Sequence, residues 1–170
     1  MLDKYLSQLN ETGHLSEEES LQCLQSIFNS DDNPKDIVTL LQTLQEKGET
    51  VDEIVGFARA IQEQMTPVTL SGQALDVCGT GGSGKDRFNV STAVAFILAS
   101  MGIPIAKHGN RGSKKANGSF DFLEALGVPF DHEPNMIAQL FSDTNLCFIF
   151  ARKHHPALAK VGPARQEIGS

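Results

Sequence analysis

Through the first sixty-five residues the apolar positions recur three and four apart, the spacing that lines side chains along one face of a helix. Ser16 and Glu19 form a capping box ahead of Leu21, Leu24, Ile27 and Phe28. Asn33 then caps a helix with Pro34 in its first turn; Ile37, Leu40, Leu41 and Leu44 are its stripe, and Gly48 stops it. Thr50 and Glu53 repeat the box before Ile54, Phe57, Ala58, Ile61 and Met65. With an opening segment around Leu2, Tyr5, Leu6 and Leu9, the pattern predicts four short amphipathic helices. Four thin stripes bury little apolar surface, so this bundle is expected to pack on something else.

Pro67 and Ser71-Gly72 mark a joint, after which the pattern changes to strands alternating with helices. Ala74 to Cys78 reads as a short strand, and Ser91 to Met101 as a helix apolar on nearly every face, hence buried. Gly102 ends that helix, and Ile103 to Ala106 reads as the next strand. A helix from Phe120 to Leu126 stops at Gly127, another starts near Pro134, Leu146 to Phe150 is a strand, and the chain is helical again from Pro156. The expected fold is α/β: a small all-helical N-terminal domain over residues 1–66, then an incomplete α/β domain with a largely parallel sheet over residues 71–170.

Composition adds limits to this picture. No apolar run approaches the length of a membrane span, and the N-terminus lacks the apolar core of a signal peptide, so a cytoplasmic protein is expected. Cys23, Cys78 and Cys147 are far apart without metal-site spacing, which fits reduced thiols. Residues 1–65 carry thirteen acids against four bases, whereas residues 79–119 carry six bases against Asp86 alone. That division points to a local anion site, not to a nucleic-acid-coating surface.

The anion site has a candidate. Asp76-Val77-Cys78-Gly79-Thr80-Gly81-Gly82-Ser83-Gly84 is an apolar strand entering a glycine-rich turn, and Asn89-Val90-Ser91-Thr92 opens the helix that follows. Glycines let the backbone approach an anion, and a helix N-terminus offers unpaired N–H groups and partial positive charge. Helix capping alone is the plain alternative for Asn89 and Ser91. Cys78, beside the turn, reads as a small buried residue and not as a nucleophile.

Further blocks follow in order: Lys107-His108-Gly109-Asn110-Arg111, Gly118-Ser119-x-Asp121-x-Leu123-Glu124-Ala125-Leu126-Gly127, and His155-Pro156-Ala157. With the glycine-rich turn, this succession resembles the anthranilate phosphoribosyltransferases, and Lys47-Gly48-Glu49-Thr50 with Glu53-Ile54 resembles their helical N-terminal domain. The resemblance covers the whole chain and about the N-terminal half of the family's length. It implies transfer of the phosphoribosyl group of phosphoribosyl pyrophosphate (PRPP) to the amine of anthranilate, with Mg2+, in a homodimer joined through the helical domain.

By that resemblance PRPP would meet Gly79, Gly82, Ser83, Arg87, Asn89, Val90, Ser91, Thr92, Lys107, His108, Gly109, Asn110, Arg111, Gly112, Ser113, Lys114, Lys115 and Ser119. Ser91 would also be a magnesium ligand. Anthranilate would meet Gly79, His108, Asn110, His155 and Arg165, where a guanidinium suits its carboxylate. Taken alone, His108 and His155 read equally as packing residues, and Arg165 as a surface charge. No catalytic nucleophile or base is implied, because an aromatic amine is neutral near pH 7 and the task is to stabilise departing pyrophosphate.

Three differences from the family are visible: Ser83 replaces a carboxylate, residues 113–117 carry two lysines, and the second half with its acidic metal ligands is absent. A truncated half of the transferase is therefore expected. Two other readings compete with it. A pyrimidine nucleoside phosphorylase lacks support because its Lys-His-Ser-Thr-Gly-Gly block is missing, and a nucleic-acid-binding relative conflicts with the acidic first half.

Overall fold

The computed structural model describes residues 2–30, 33–79, 88–112 and 116–169. They form two compact units: residues 1–65 with 155–170, and residues 66–154. The last sixteen residues thus group with the helical unit, whereas the sequence pattern runs the second domain to Ser170.

Four helices open the first unit: α1 (Asp3–Thr12), α2 (Glu17–Asn29), α3 (Pro34–Lys47) and α4 (Val51–Glu63). Their starts are the predicted ones. Ser16 and Thr50 accept from the Glu19 and Glu53 amides while those glutamates reach back, and Asn33 accepts from Lys35 ahead of Pro34. A core of Tyr5, Leu9, Leu15, Ile27, Ile37, Leu40 and Leu44 is completed by Val161 and Ala164 from the chain's end.

The buried face of α4 differs from the predicted stripe. Glu53, Gly56 and Ala60 are buried, whereas Ile54, Ala58 and Met65 are exposed. Gly56 lies directly on α2, where a Cβ would collide with the Glu17 carbonyl and Ser20 Cβ. Helices this close select the residue without a side chain, and the large apolar residues are left outside.

Glu53 is fully buried and answered on every side. Its Oε1 accepts from the Leu15 amide at 2.9 Å, and its Oε2 from Lys47 Nζ and the Thr50 amide at 2.7 Å each. Burial alone pushes its pKa up, but Lys47 and the two amides outweigh it and hold the carboxyl below its usual 4.5.

In the second unit, strands β1 (Ile105–Gly109) and β2 (Leu146–Phe150) pair in parallel, Ile105 opposite Leu146 and Gly109 opposite Phe150. Helix α5 (Val90–Ser100) precedes β1, and α6 (Ser119–Ala125) and α7 (Pro134–Thr144) lie between the strands in sequence. A four-residue helix, α8 (Ala151–His154), follows β2; beyond it come a 3-10 turn over Pro156–Val161 and α9 (Gly162–Glu167), both in the first unit. Leu146, Phe148 and Phe150 face α6 and the Phe120 cluster; Cys147 and Ile149 face Ile137 and Phe141 of α7. Phe120 stacks on Phe150 with centroids 4.7 Å apart and meets Phe130 edge-on at 5.0 Å.

Three expectations change here. The predicted strand from Ala74 to Cys78 is a single bridge at Leu75, which exchanges bonds with Pro104 and Ala106 on the edge of β1 away from β2. Asp76 and Gly79, poor strand formers, follow at once. The strand expected from Ile103 begins at Ile105, because the Ile103 amide closes α5 by bonding Leu98 and Pro104 has no N–H. Helix α5, expected to be buried, has only Thr92 and Ala95 buried, with Ile97 57% exposed and Met101 68%. The sheet covers one side of it, and an all-apolar helix needs cover on several.

Glu53 carries a pH signature. Its folded pKa lies below the unfolded one, so its contribution is complete above the unfolded value and is lost as pH falls through the folded one. Glu53→Gln is expected to cost about 2 kcal/mol at neutral pH and to remove that share of the acid sensitivity; urea midpoints across pH 3–7 that stay parallel to the parent's contradict this. Gly56→Ala is expected to cost roughly 1–3 kcal/mol by forcing α2 and α4 apart, and a thermal melt unchanged from the parent's counts against that close approach.

Candidate functional site

The C-terminal end of β1, where open α/β sheets receive ligands, carries Lys107, His108 and Gly109. Neighbouring strand residues point to opposite faces. Lys107 pairs with Phe148 and Gly109 with Phe150, so both lie on the α6 face, whereas His108 pairs with Ile149 and lies on the α7 face. The two adjacent basic residues therefore serve different sides of the sheet.

Lys107 is 3% exposed. Its Nζ lies 3.5 Å from the His108 carbonyl, the outer limit of a hydrogen bond. Burial lowers its pKa, and the nearby Asp76 and Cys78 offset this only in part. A buried ammonium held this loosely gains from an incoming anion.

Burial likewise lowers the pKa of His108; Asp76 pulls it up, and His154 and Lys107 push it further down. The imidazole is thus neutral near pH 7. His154, which the sequence did not single out, is buried beside it, and its Nδ1–H donates to the Thr66 carbonyl at 2.9 Å. Only its position next to His155 could have drawn attention to it.

Beyond β1 the chain turns through Asn110, Arg111 and Gly112 against the start of α6. Gly118, the N-cap residue of α6, has no room for a Cβ, which would meet the Gly112 nitrogen, the Arg111 carbonyl carbon and the Asn110 oxygen. Ser119 Oγ and the Phe120 amide donate to the Asn110 carbonyl, each at 3.3 Å, and a Cβ on Gly109 would strike Ser119 Oγ. Lys107, Gly109, Asn110 and Ser119 are thereby brought into one neighbourhood.

Asp121 fastens this neighbourhood. Its Oδ2 accepts from the Gly112 amide at 2.8 Å and the Gly118 amide at 2.9 Å, while its Oδ1 accepts from Arg111 Nη1 at 3.2 Å. Burial opposes its charge, yet these three donors hold its pKa below the usual value. Arg111, expected on PRPP, also makes two parallel 2.7 Å bonds to Glu124 and stands 5.5 Å from the Phe130 ring centroid. Both acids stand in the Gly118-to-Gly127 block, but nothing in the sequence paired them with Arg111.

At the start of α5, Asn89 caps no amide with its side chain; its carbonyl accepts from Thr92 and Ala93. Ser91 is half-buried, Thr92 buried and Val90 exposed. Gly79 is exposed, and so is Cys78, contrary to its expected burial. A hydrogen bond from the thiol to Asp76, and then that carboxylate's charge, raise the Cys78 pKa, so it stays protonated and unreactive. Gly82, Ser83, Arg87, Ser113, Lys114 and Lys115 lie outside the described residues. His155 and Arg165 belong to the first unit, Arg165 exposed on α9.

Among the described residues no three His, Cys, Asp or Glu side chains cluster as a metal site. The Ser91 hydroxyl is a single hard oxygen donor. It fits Mg2+ only where phosphate oxygens and water supply the remaining positions, the usual state of that ion in phosphate sites.

Comparison with known proteins accords with this geometry. Residues 3–65 match the helical bundle domain of the glycosyl transferase family, and residues 71–170 match its a/b domain. Anthranilate phosphoribosyltransferase from Geobacillus kaustophilus is 40% identical over 99% of this chain and 50% of its own length. The one from Bacillus caldotenax is also 40% identical, over 99% of this chain and 70% of its own length. A crystal structure of anthranilate phosphoribosyltransferase (TrpD) from Thermus thermophilus superposes with a TM-score of 0.84 at 37% identity, covering 92% of this chain and 48% of that one. The Saccharomyces cerevisiae enzyme in complex with PRPP and Mg superposes with a TM-score of 0.81 at 26% identity, covering 92% and 47%. The chain spans about half the length of most of the curated relatives it matches.

Proposed function

From the premise that this chain belongs to the glycosyl transferase family with a helical bundle and an a/b domain, we propose that it carries the PRPP-binding part of an anthranilate phosphoribosyltransferase. The observation that bears most weight is Lys107: a buried ammonium with one long hydrogen bond among the described residues, at the ligand end of β1 beside Asn110 and Ser119. The pyrimidine phosphorylase and nucleic-acid readings have no comparable observation behind them.

In the reaction the bond from the anomeric carbon to pyrophosphate breaks, the anthranilate nitrogen bonds to that carbon and then loses a proton. Lys107 offsets the charge gathering on pyrophosphate, and its burial strengthens that attraction. The α5 N-terminus at Asn89 brings the positive end of a helix dipole, and the Ser91 hydroxyl, to the same anion. Ser119 and Asn110, held together at the start of α6, hold the phosphoribosyl end and the acceptor. Neutral His108 lines the acceptor path without adding positive charge near the amine. Magnesium, when bound with PRPP, supplies charge neutralisation, with Ser91 as one protein ligand. Arg165 on α9 is assigned to the anthranilate carboxylate.

The partner surface is proposed on α4. Val51 (75% exposed), Ile54 (57%), Val55 and Met65 form an apolar strip on the helical unit, and a second copy of the chain covers it in a homodimer. No helix is long and apolar enough among the described residues to cross a membrane.

Titration calorimetry with PRPP and Mg2+ is expected to show saturable binding, weakened about tenfold or more (1.4 kcal/mol) in Lys107→Gln. Absence of PRPP binding by the parent chain overturns this function. Light scattering after size exclusion is expected to give a dimer that Ile54→Asp converts to monomer. A parent that is monomeric at every concentration removes the α4 interface.

A further inference from the structure

The clasp at the start of α6 reaches further than a helix cap. A capping carboxylate needs only the N-cap amide, here that of Gly118. Asp121 takes that amide and, on the same oxygen, the amide of Gly112 from the turn after β1. One oxygen atom thus holds the end of the turn after β1 and the start of α6 together.

The other oxygen meets Arg111 Nη1, and Glu124 accepts from both Nη1 and Nη2 of the same guanidinium. This matters for the register of the turn. The Arg111 amide donates to Asn110 Oδ1 at 2.8 Å, and the Asn110 carbonyl receives Ser119 Oγ and the Phe120 amide. Moving Arg111 or Gly112 therefore moves Asn110, and with it the hydroxyl of Ser119. Gly118 closes the stack: its missing Cβ lets the turn lie backbone to backbone on the N-cap, leaving no slack to absorb a shift.

We propose that Asp121 is a positioning residue for PRPP, fixing Asn110 and Ser119 relative to the end of β1 by bridging the Gly112 and Gly118 amides and pairing Arg111. Arg111 then belongs to the scaffold: its guanidinium serves Asp121 and Glu124, and it supports the ligand groups without touching the ligand. The inference rests on the PRPP reading above.

Asparagine tests it sharply. Asp121→Asn keeps size but has one oxygen, and its NH2 must face either the two glycine amides or the guanidinium, donor against donor. Calorimetry with PRPP and Mg2+ is expected to show at least tenfold weaker binding with unchanged helical circular dichroism. Asp121→Glu, a residue that habitually reaches back from this helix position, is expected to recover affinity to within about threefold. Glu124→Gln, which leaves the amide bridge intact, is expected to stay within threefold. A folded Asp121→Asn chain that binds PRPP like the parent overturns the proposal alone, as does failure of Asp121→Glu to recover binding. A parent chain that does not bind PRPP overturns both the proposal and the function it rests on. Should Asp121→Asn not fold, hydrogen exchange of the parent decides. The Gly112 and Gly118 amides are expected to be protected without ligand and slowed less than threefold by PRPP; amides protected only when PRPP is added overturn the proposal.

Discussion

A carboxylate at the third position of a helix, fully buried in one unit and half-buried in the other, answered by two backbone N–H groups and one cation, is the constraint on which both units depend. Glu53 joins the N-cap of α4 to Leu15, thirty-eight residues away, and to Lys47 at the end of α3. Asp121 joins the N-cap of α6 to Gly112 and to Arg111. In each case a helix start is fastened to chain that precedes it. A carboxylate withdrawn from water is costly unless its lone pairs are filled, so each arrangement holds as a set or not at all.

The two sets serve different ends. In the helical unit the carboxylate ties two helix connections together, leaving the outer face of α4 free to carry Ile54 and Val51. In the second unit it braces the turn at the end of β1, where Lys107 is buried with only a 3.5 Å hydrogen bond to the His108 carbonyl among the described residues. Tightness around Asp121 and looseness around Lys107 are complementary: a rigid rim holds ligand groups in place, and a loosely held ammonium waits for an anion.

Much of this is legible in the sequence. The capping boxes at Ser16 and Thr50, the stop at Gly48 and the strand from Leu146 to Phe150 are all present as read. The misreadings share a cause: apolar periodicity weighs side chains by size, while close packing is decided by the smallest ones. Gly56 and Ala60 therefore replace Ile54 and Met65 on the buried face of α4. Helix α5 reads as buried from its composition, but burial depends on what covers a helix, which its own residues do not state. The site residues near β1 are visible as a motif. That Lys107 and His108 face opposite ways follows from strand alternation, but only the pairing with Phe148 and Ile149 says which face is which. The motif assigns Arg111 to the ligand; its carboxylate partners lie ten and thirteen residues on, beyond the reach of local pattern.

The backbone contact at Gly118 has a consequence for how this region tolerates change. Because Gly112 and Gly118 are anchored to the same oxygen, the span of sequence between them has its two ends fixed independently of what it contains. Gly118, with no room for a Cβ, and Asp121, which holds both amides and Arg111, are the positions there that admit little change.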